Sequence, residues 1–168
     1  SYPYSCISIF ALHPQYCDLR QMPAIKDKLE ADRFEMLREE LNALPQIDYE
    51  RVNNAKIKYL KTIFAQEGKE VLASAEFKAF FLRTEHWLVP YAQYCYLRDK
   101  NGTCEFAKWE GHTQWNEADR APLSNPKNKA FEEVSFFYYL QFVLDRQMRG
   151  AHEYARARGV ILKGDIPI

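Results

Sequence analysis

No stretch of the chain approaches the roughly 20 consecutive apolar residues that a membrane-spanning helix needs. Nor does a charged start lead into an apolar core and a small-residue cleavage site. The sequence therefore predicts no contact with a membrane. Net charge is lacking as well, since Lys plus Arg and Asp plus Glu both count 23. Nucleic-acid binders carry a basic excess on at least one face, and no basic cluster occurs here, so nucleic acid is not an expected partner. The four cysteines, Cys6, Cys17, Cys95 and Cys104, form no CxxC pair. Without a secretory signal they read as reduced thiols, which points to the cytoplasm. His13, His86, His112 and His152 are scattered with no H-x3-H spacing, so a zinc site is not expected. Internal repeats and low-complexity tracts are absent too.

What remains is the composition of an ordinary globular domain: 168 residues, 47% apolar and 27% charged, long enough to bury a core. Residues 1–22 have no helical period, and prolines at 3, 14 and 23 mark an ordered loop. From Lys28 to Leu44 the positions Phe34, Leu37, Leu41 and Leu44 recur at helical spacing, stopped by Pro45. Asp48 is the expected cap of a second helix, with Val52, Tyr59, Leu60, Ile63 and Phe64 on one face and Gly68 as its interruption. Two shorter aromatic-rich helices are expected over Glu70–Phe81 and Thr84–Asp99, with Pro90 kinking the second or marking its first turn. Lys100-Asn101-Gly102 is a turn. Beyond it lies a polar irregular stretch anchored by Trp109 and Trp115, which read as local hydrophobic anchors in preference to a sugar groove.

The last element is the strongest. Asn125 can cap, Pro126 suits a first helical position, and Lys127 to Arg158 contains no proline. The middle of this run, Phe136 to Leu144, is apolar almost all round, which means burial on several sides. Its C-terminal half is amphipathic (Leu144, Met148, Ala151, Ala155), and Gly159 closes it in the left-handed conformation. Val160-Ile161-Leu162 is then a strand-like run ending near Asp165. Helix, glycine, buried strand and an acidic residue at the strand's end is one repeat of an α/β barrel or a doubly wound sheet. A chain that stops directly after such a strand reads as an interior piece of something larger.

Three segments carry a family resemblance. Pro3-Tyr4 followed by Ser8-Ile9-Phe10-Ala11-Leu12-His13-Pro14 resembles the Ser-Pro-Tyr and Ser-x-Phe-Ala-x-Asn-Pro motifs of glycoside hydrolase family 77, the amylomaltases. Glu85-His86-Trp87-Leu88-Val89-Pro90-Tyr91-Ala92 resembles that family's Trp-Leu-x-x-Tyr-Ala segment. Gly159 to Ile168 looks like its third barrel strand with a Gly-Asp-x-Pro-x ending. Tyr2 ahead of the proline, and His13 where shorter amylomaltases carry Asn, resemble the longer disproportionating enzymes of the plant cytosolic type.

The resemblance implies a 4-alpha-glucanotransferase acting on maltose or an α-glucan, and a mainly helical piece of a (β/α)8 TIM barrel. Residues 1–22 would be the loop after strand two, 23–124 a helical insertion over the sugar cleft, and 125–168 a barrel helix and strand three. The nucleophilic Asp, the acid/base Glu and a stabilising Asp would lie beyond Ile168, so no catalytic residue is expected within the chain. The substrate-binding residues implied are Tyr4, by stacking and its hydroxyl, and Asp165, by hydrogen bonds to sugar hydroxyls, with Pro3, Ser8 and His13 beside them. Left with two open edges, Val160, Ile161 and Leu162 would either fray or pair with a second copy of the isolated piece. The rival reading is a helical protein-interaction module with an exposed aromatic face and no catalytic role.

Overall fold

The computed structural model describes residues 7–111 and 116–164. It is mainly helical, with no strand among the described residues. Five α-helices follow in order: α1 (Lys28–Asn42), α2 (Tyr49–Ala73), α3 (Ala75–Asn101), α4 (Glu117–Arg120) and α5 (Phe131–Arg156). They form two compact units. The first holds α3, α4 and α5 as far as Gln141, with residues up to Ala11; the second holds Leu12–Ser74 and Phe142–Leu162.

Side-chain caps fix several helix starts. The Asp27 carboxylate accepts from the Glu30 amide at 2.8 Å and opens α1. Asp48 accepts from the Arg51 amide at 3.0 Å and opens α2, as its sequence context predicts. Helix α1 ends at Asn42, two residues before the expected Leu44, because a residue preceding proline is pushed out of the helical region.

Two expected breaks are absent. Helix α2 continues through Gly68 to Ala73, and α3 is one 27-residue helix with Pro90 inside it. The chain leaves α2 at Ser74, whose amide and hydroxyl both donate to the Val71 carbonyl, at 3.0 and 2.6 Å. Gly68 has a packing role. A Cβ there would lie 2.4 Å from Cδ2 of Phe64 and 3.0 Å from its Cγ, so the bare backbone is what lets that ring lie flat against the next turn. Gly68→Ala should therefore lower stability by roughly 1–3 kcal/mol through overpacking, where an ordinary helix glycine would gain about 1 kcal/mol on the same change. Thermal denaturation of wild type and variant decides the sign, and a raised Tm would show that Phe64 swings clear at no cost.

Helix α5 starts at Phe131 and not near Lys127. Asn125 and Asn128 each accept from the amide two residues ahead, Lys127 and Ala130, and these local turns replace the first helical turn. Every residue from Val134 to Leu144 is buried, the polar Ser135 and Gln141 included, as a sequence apolar almost all round requires. Gly159 (φ 74°) ends the element. Its amide donates to Arg156 O and the Val160 amide to Ala155 O, both at 3.0 Å, which is the Schellman pair of bonds. Downstream of Leu144 the apolar side chains are open: Met148 is 41% exposed, Tyr154 63% and Ile161 90%. The strand-like run at Val160, Ile161 and Leu162 pairs with no strand among the described residues.

Candidate functional site

In the first unit, two of the three sequence motifs meet. Phe10 stacks on Trp87 with centroids 6.0 Å apart and planes at 25°, and meets His86 edge-on at 6.2 Å. Trp87 in turn meets Tyr91 edge-on at 6.3 Å. Helix α3 supplies these rings at i, i+1 and i+5, with Leu88 and Ala92 on the buried side at 0% exposure. Tyr91 lies within 3.5 Å of the Gln141 amide on α5. Burial raises the Tyr91 pKa far above that of a free phenol, so its hydroxyl stays neutral and serves as a packing tie. Burial likewise pushes the Cys95 thiol to about 11, which makes it an inert core group.

Beside this aromatic edge is a cavity of about 380 Å³. It is lined by Glu85, His86, Val89, Pro90 and Gln93 of α3, and by Glu117, Arg120 and Ser124 of the segment around α4. Gln93 is 1% exposed, and its Nε2 donates to Arg120 O at 3.2 Å and Ser124 Oγ at 2.9 Å. Arg120 pairs with Glu117 at 2.5 Å. Sequence reading missed these residues because the cavity is assembled from segments more than 20 residues apart, with no spacing to betray it.

The second unit builds a loop and a cleft. Ser8, in the first unit, accepts from the Phe10 amide at 3.2 Å, and His13, in the second, caps the turn Pro14–Tyr16 by accepting from the Gln15 amide on Nδ1, also at 3.2 Å. That bond needs an unprotonated Nδ1, and desolvation lowers the His13 pKa in the same direction. Lys56 of α2 donates to Gln15 O and Cys17 O at 2.7 and 2.8 Å. Gln147 of α5 accepts from the Asp18 amide at 2.8 Å and donates to the Asp18 carbonyl at 3.0 Å. Arg20 grips the Asp18 carboxylate through two nitrogens at 2.9 Å, and these hydrogen bonds hold that carboxyl well below the usual carboxylate range. The loop thus pinned lines a cleft of about 790 Å³ with α1 and α2, whose walls include Tyr16, Phe34, Arg38, Asn42 and Tyr59.

Of the expected substrate-binding residues, Ser8 and His13 appear as loop-shaping acceptors. Pro3, Tyr4 and Asp165 lie outside the described residues, as do Trp115 and His112. Trp109 is an anchor: it is 2% exposed, its Nε1 donates to Thr103 O at 2.7 Å, and its ring meets Tyr94 at 5.2 Å. No group of three or more His, Cys, Asp or Glu able to hold a metal occurs among the described residues, and none of their helices is long and apolar enough to cross a membrane.

Comparison with known proteins agrees with the motifs. The chain is 36% identical over its full length to the 4-alpha-glucanotransferase DPE2 of Oryza sativa subsp. japonica, of which it spans 18%. It is 30% identical, over 99% of its length, to the 4-alpha-glucanotransferase of Thermus thermophilus, spanning 32% of that protein. The corresponding protein of Chlamydia muridarum is 27% identical, with 31% of it covered. The chain thus spans a third or less of each of these relatives. No solved structure gives a significant match. The sequence profile for 4-alpha-glucanotransferases matches residues 1–168, the whole chain, which therefore belongs to the 4-alpha-glucanotransferase family, glycoside hydrolase family 77.

Proposed function

We propose that the chain is the part of a 4-alpha-glucanotransferase that shapes and floors the sugar cleft, in an enzyme that moves α-1,4-glucosyl units between maltose or glucans and an acceptor. The observation that carries this reading is the family match across all 168 residues. The meeting of Phe10 with Trp87 supports it, since it ties the loop bearing the first motif to the helix bearing the second.

A retaining glucanotransferase works by double displacement and needs two carboxyls about 5 Å apart. One forms the glycosyl-enzyme bond while the other protonates the leaving sugar and then deprotonates the acceptor. Neither a metal nor an organic cofactor enters such a reaction. Both carboxyls belong to barrel strands that would follow Ile168. On this reading residues 1–22 follow barrel strand two, 23–124 form the helical insertion, and 125–168 supply a barrel helix and strand three. Tyr4 stacks on a glucose ring and Asp165 accepts from sugar hydroxyls at the strand mouth. Ser8 and His13 hold the loop between them in shape, which is what their backbone bonds suit. The reaction belongs to the cytoplasm, where the thiols stay reduced.

The 168-residue chain produced alone should release no glucose from maltotriose at any pH, whereas the full-length protein should disproportionate it. Glucose above a buffer blank from the purified piece would sink the assignment of both carboxyls to the remainder of the protein. The open apolar run Val160, Ile161 and Leu162 is the surface through which copies of the isolated piece should associate.

A further inference from the structure

We propose that the cavity beside Pro90 is a second carbohydrate site, which holds a glucosyl unit of an α-glucan through Gln93, Glu85 and Glu117. This rests on the glucanotransferase reading for its choice of sugar, but the site itself is argued from its own atoms.

The cavity sets the acceptors of Gln93, Glu85 and Glu117 beside the donors of His86, Arg120 and Ser124. The orientation of the Gln93 carboxamide is fixed, because Arg120 O can only accept and so must face Nε2. That leaves Oε1 buried, and it has no hydrogen-bond partner among the described residues. A buried acceptor left unmade is costly, so the site favours a donor. Pro90, inside α3, has no N–H to offer the carbonyl of His86 four residues back, and both residues line the cavity. The carboxylates of Glu85 and Glu117 complete the set, and the Arg120 guanidinium is engaged by Glu117.

The ligand that suits this is neutral, carries several hydroxyls, and is larger than a bare ion, since the space is about 380 Å³. Of its lining residues, His86 also meets the Phe10 ring edge-on at 6.2 Å. A pyranose offers hydroxyl donors at its rim and an apolar C–H face for such rings. An anion would meet two carboxylates here.

The test is hydrogen–deuterium exchange on the full-length protein with and without maltoheptaose. Peptides covering residues 85–93 and 117–124 should exchange at least about twofold more slowly with the sugar present. That protection should vanish in Glu85→Ala, an exposed rim position where folding is not at stake, and in Gln93→Met. Turnover of maltotriose by wild type reports separately on the enzyme reading. Unchanged exchange in these peptides while maltotriose is still turned over would overturn the cavity site and leave the transferase standing. Protection that survives both substitutions, or that calcium chloride produces and maltoheptaose does not, would overturn it too. A wild type with no transfer activity would remove the glucanotransferase reading itself.

Discussion

Asp165→Asn in the full-length protein should lower kcat at least about tenfold while leaving the melting temperature nearly unchanged. The substitution removes a charge and keeps the volume, so any structural role of the side chain as a hydrogen-bonding cap is largely retained. On the proposed reading, what it takes from the substrate is one charge-assisted hydrogen bond near the reacting sugar, worth about 1.5–3 kcal/mol, and a factor of ten is 1.4 kcal/mol. Steady-state kinetics on maltotriose checks it. If the bond tightens only in the transition state, kcat and kcat/KM fall together; if it is made equally in the ground state, KM rises instead. Wild-type kinetics would reduce Asp165 to a turn cap at the end of a strand.

The parts of the fold that are legible in the sequence are those decided within a few residues. Asp48 caps α2 because a carboxylate at that position can take an orphan amide whatever lies farther away. Gly159 ends α5 because only a residue without Cβ takes φ 74° freely. The run from Phe136 to Leu144, apolar but for Gln141, forces burial on all sides. The misread positions are those where packing overrides local preference. Gly68 weakens an isolated helix, yet here it makes room for Phe64, and so α2 runs on. Pro90, expected to kink a helix or to mark its first turn, lies in the interior of α3, where the buried flank of Phe80, Leu88, Ala92 and Cys95 carries the helix across it. The reverse holds at Asn125, where a favourable cap residue is spent on a tight turn before α5 begins. The candidate cavity left no mark in the sequence, because Gln93 gains its meaning only from carbonyl and hydroxyl groups about 30 residues later.

Trp109→Ala should cost about 3–5 kcal/mol. The indole is 2% exposed and its Nε1 holds the Thr103 carbonyl at 2.7 Å, so truncation leaves both a void and an unmade bond. Around it the chain between α3 and α4 has little else to fold on: Phe106 is 59% exposed. Two supports depend on the indole staying in place. Tyr94 packs against it at 5.2 Å and donates to Cys104 O at 3.1 Å, and the Asn101 carboxamide oxygen accepts from the Glu110 amide at 3.3 Å. Trp109→Phe should recover much of the packing and none of the hydrogen bond, and so fall between the two. Hydrogen exchange over residues 94–111 measures this locally, which matters in a larger protein where a global melt averages over domains. A surface tryptophan that served only to stack on sugar would behave oppositely: its alanine variant would keep full protection over 94–111 and lose affinity for maltoheptaose. Lost protection with unchanged maltoheptaose affinity is the expected pair of results, because the ring's faces are already taken by the protein.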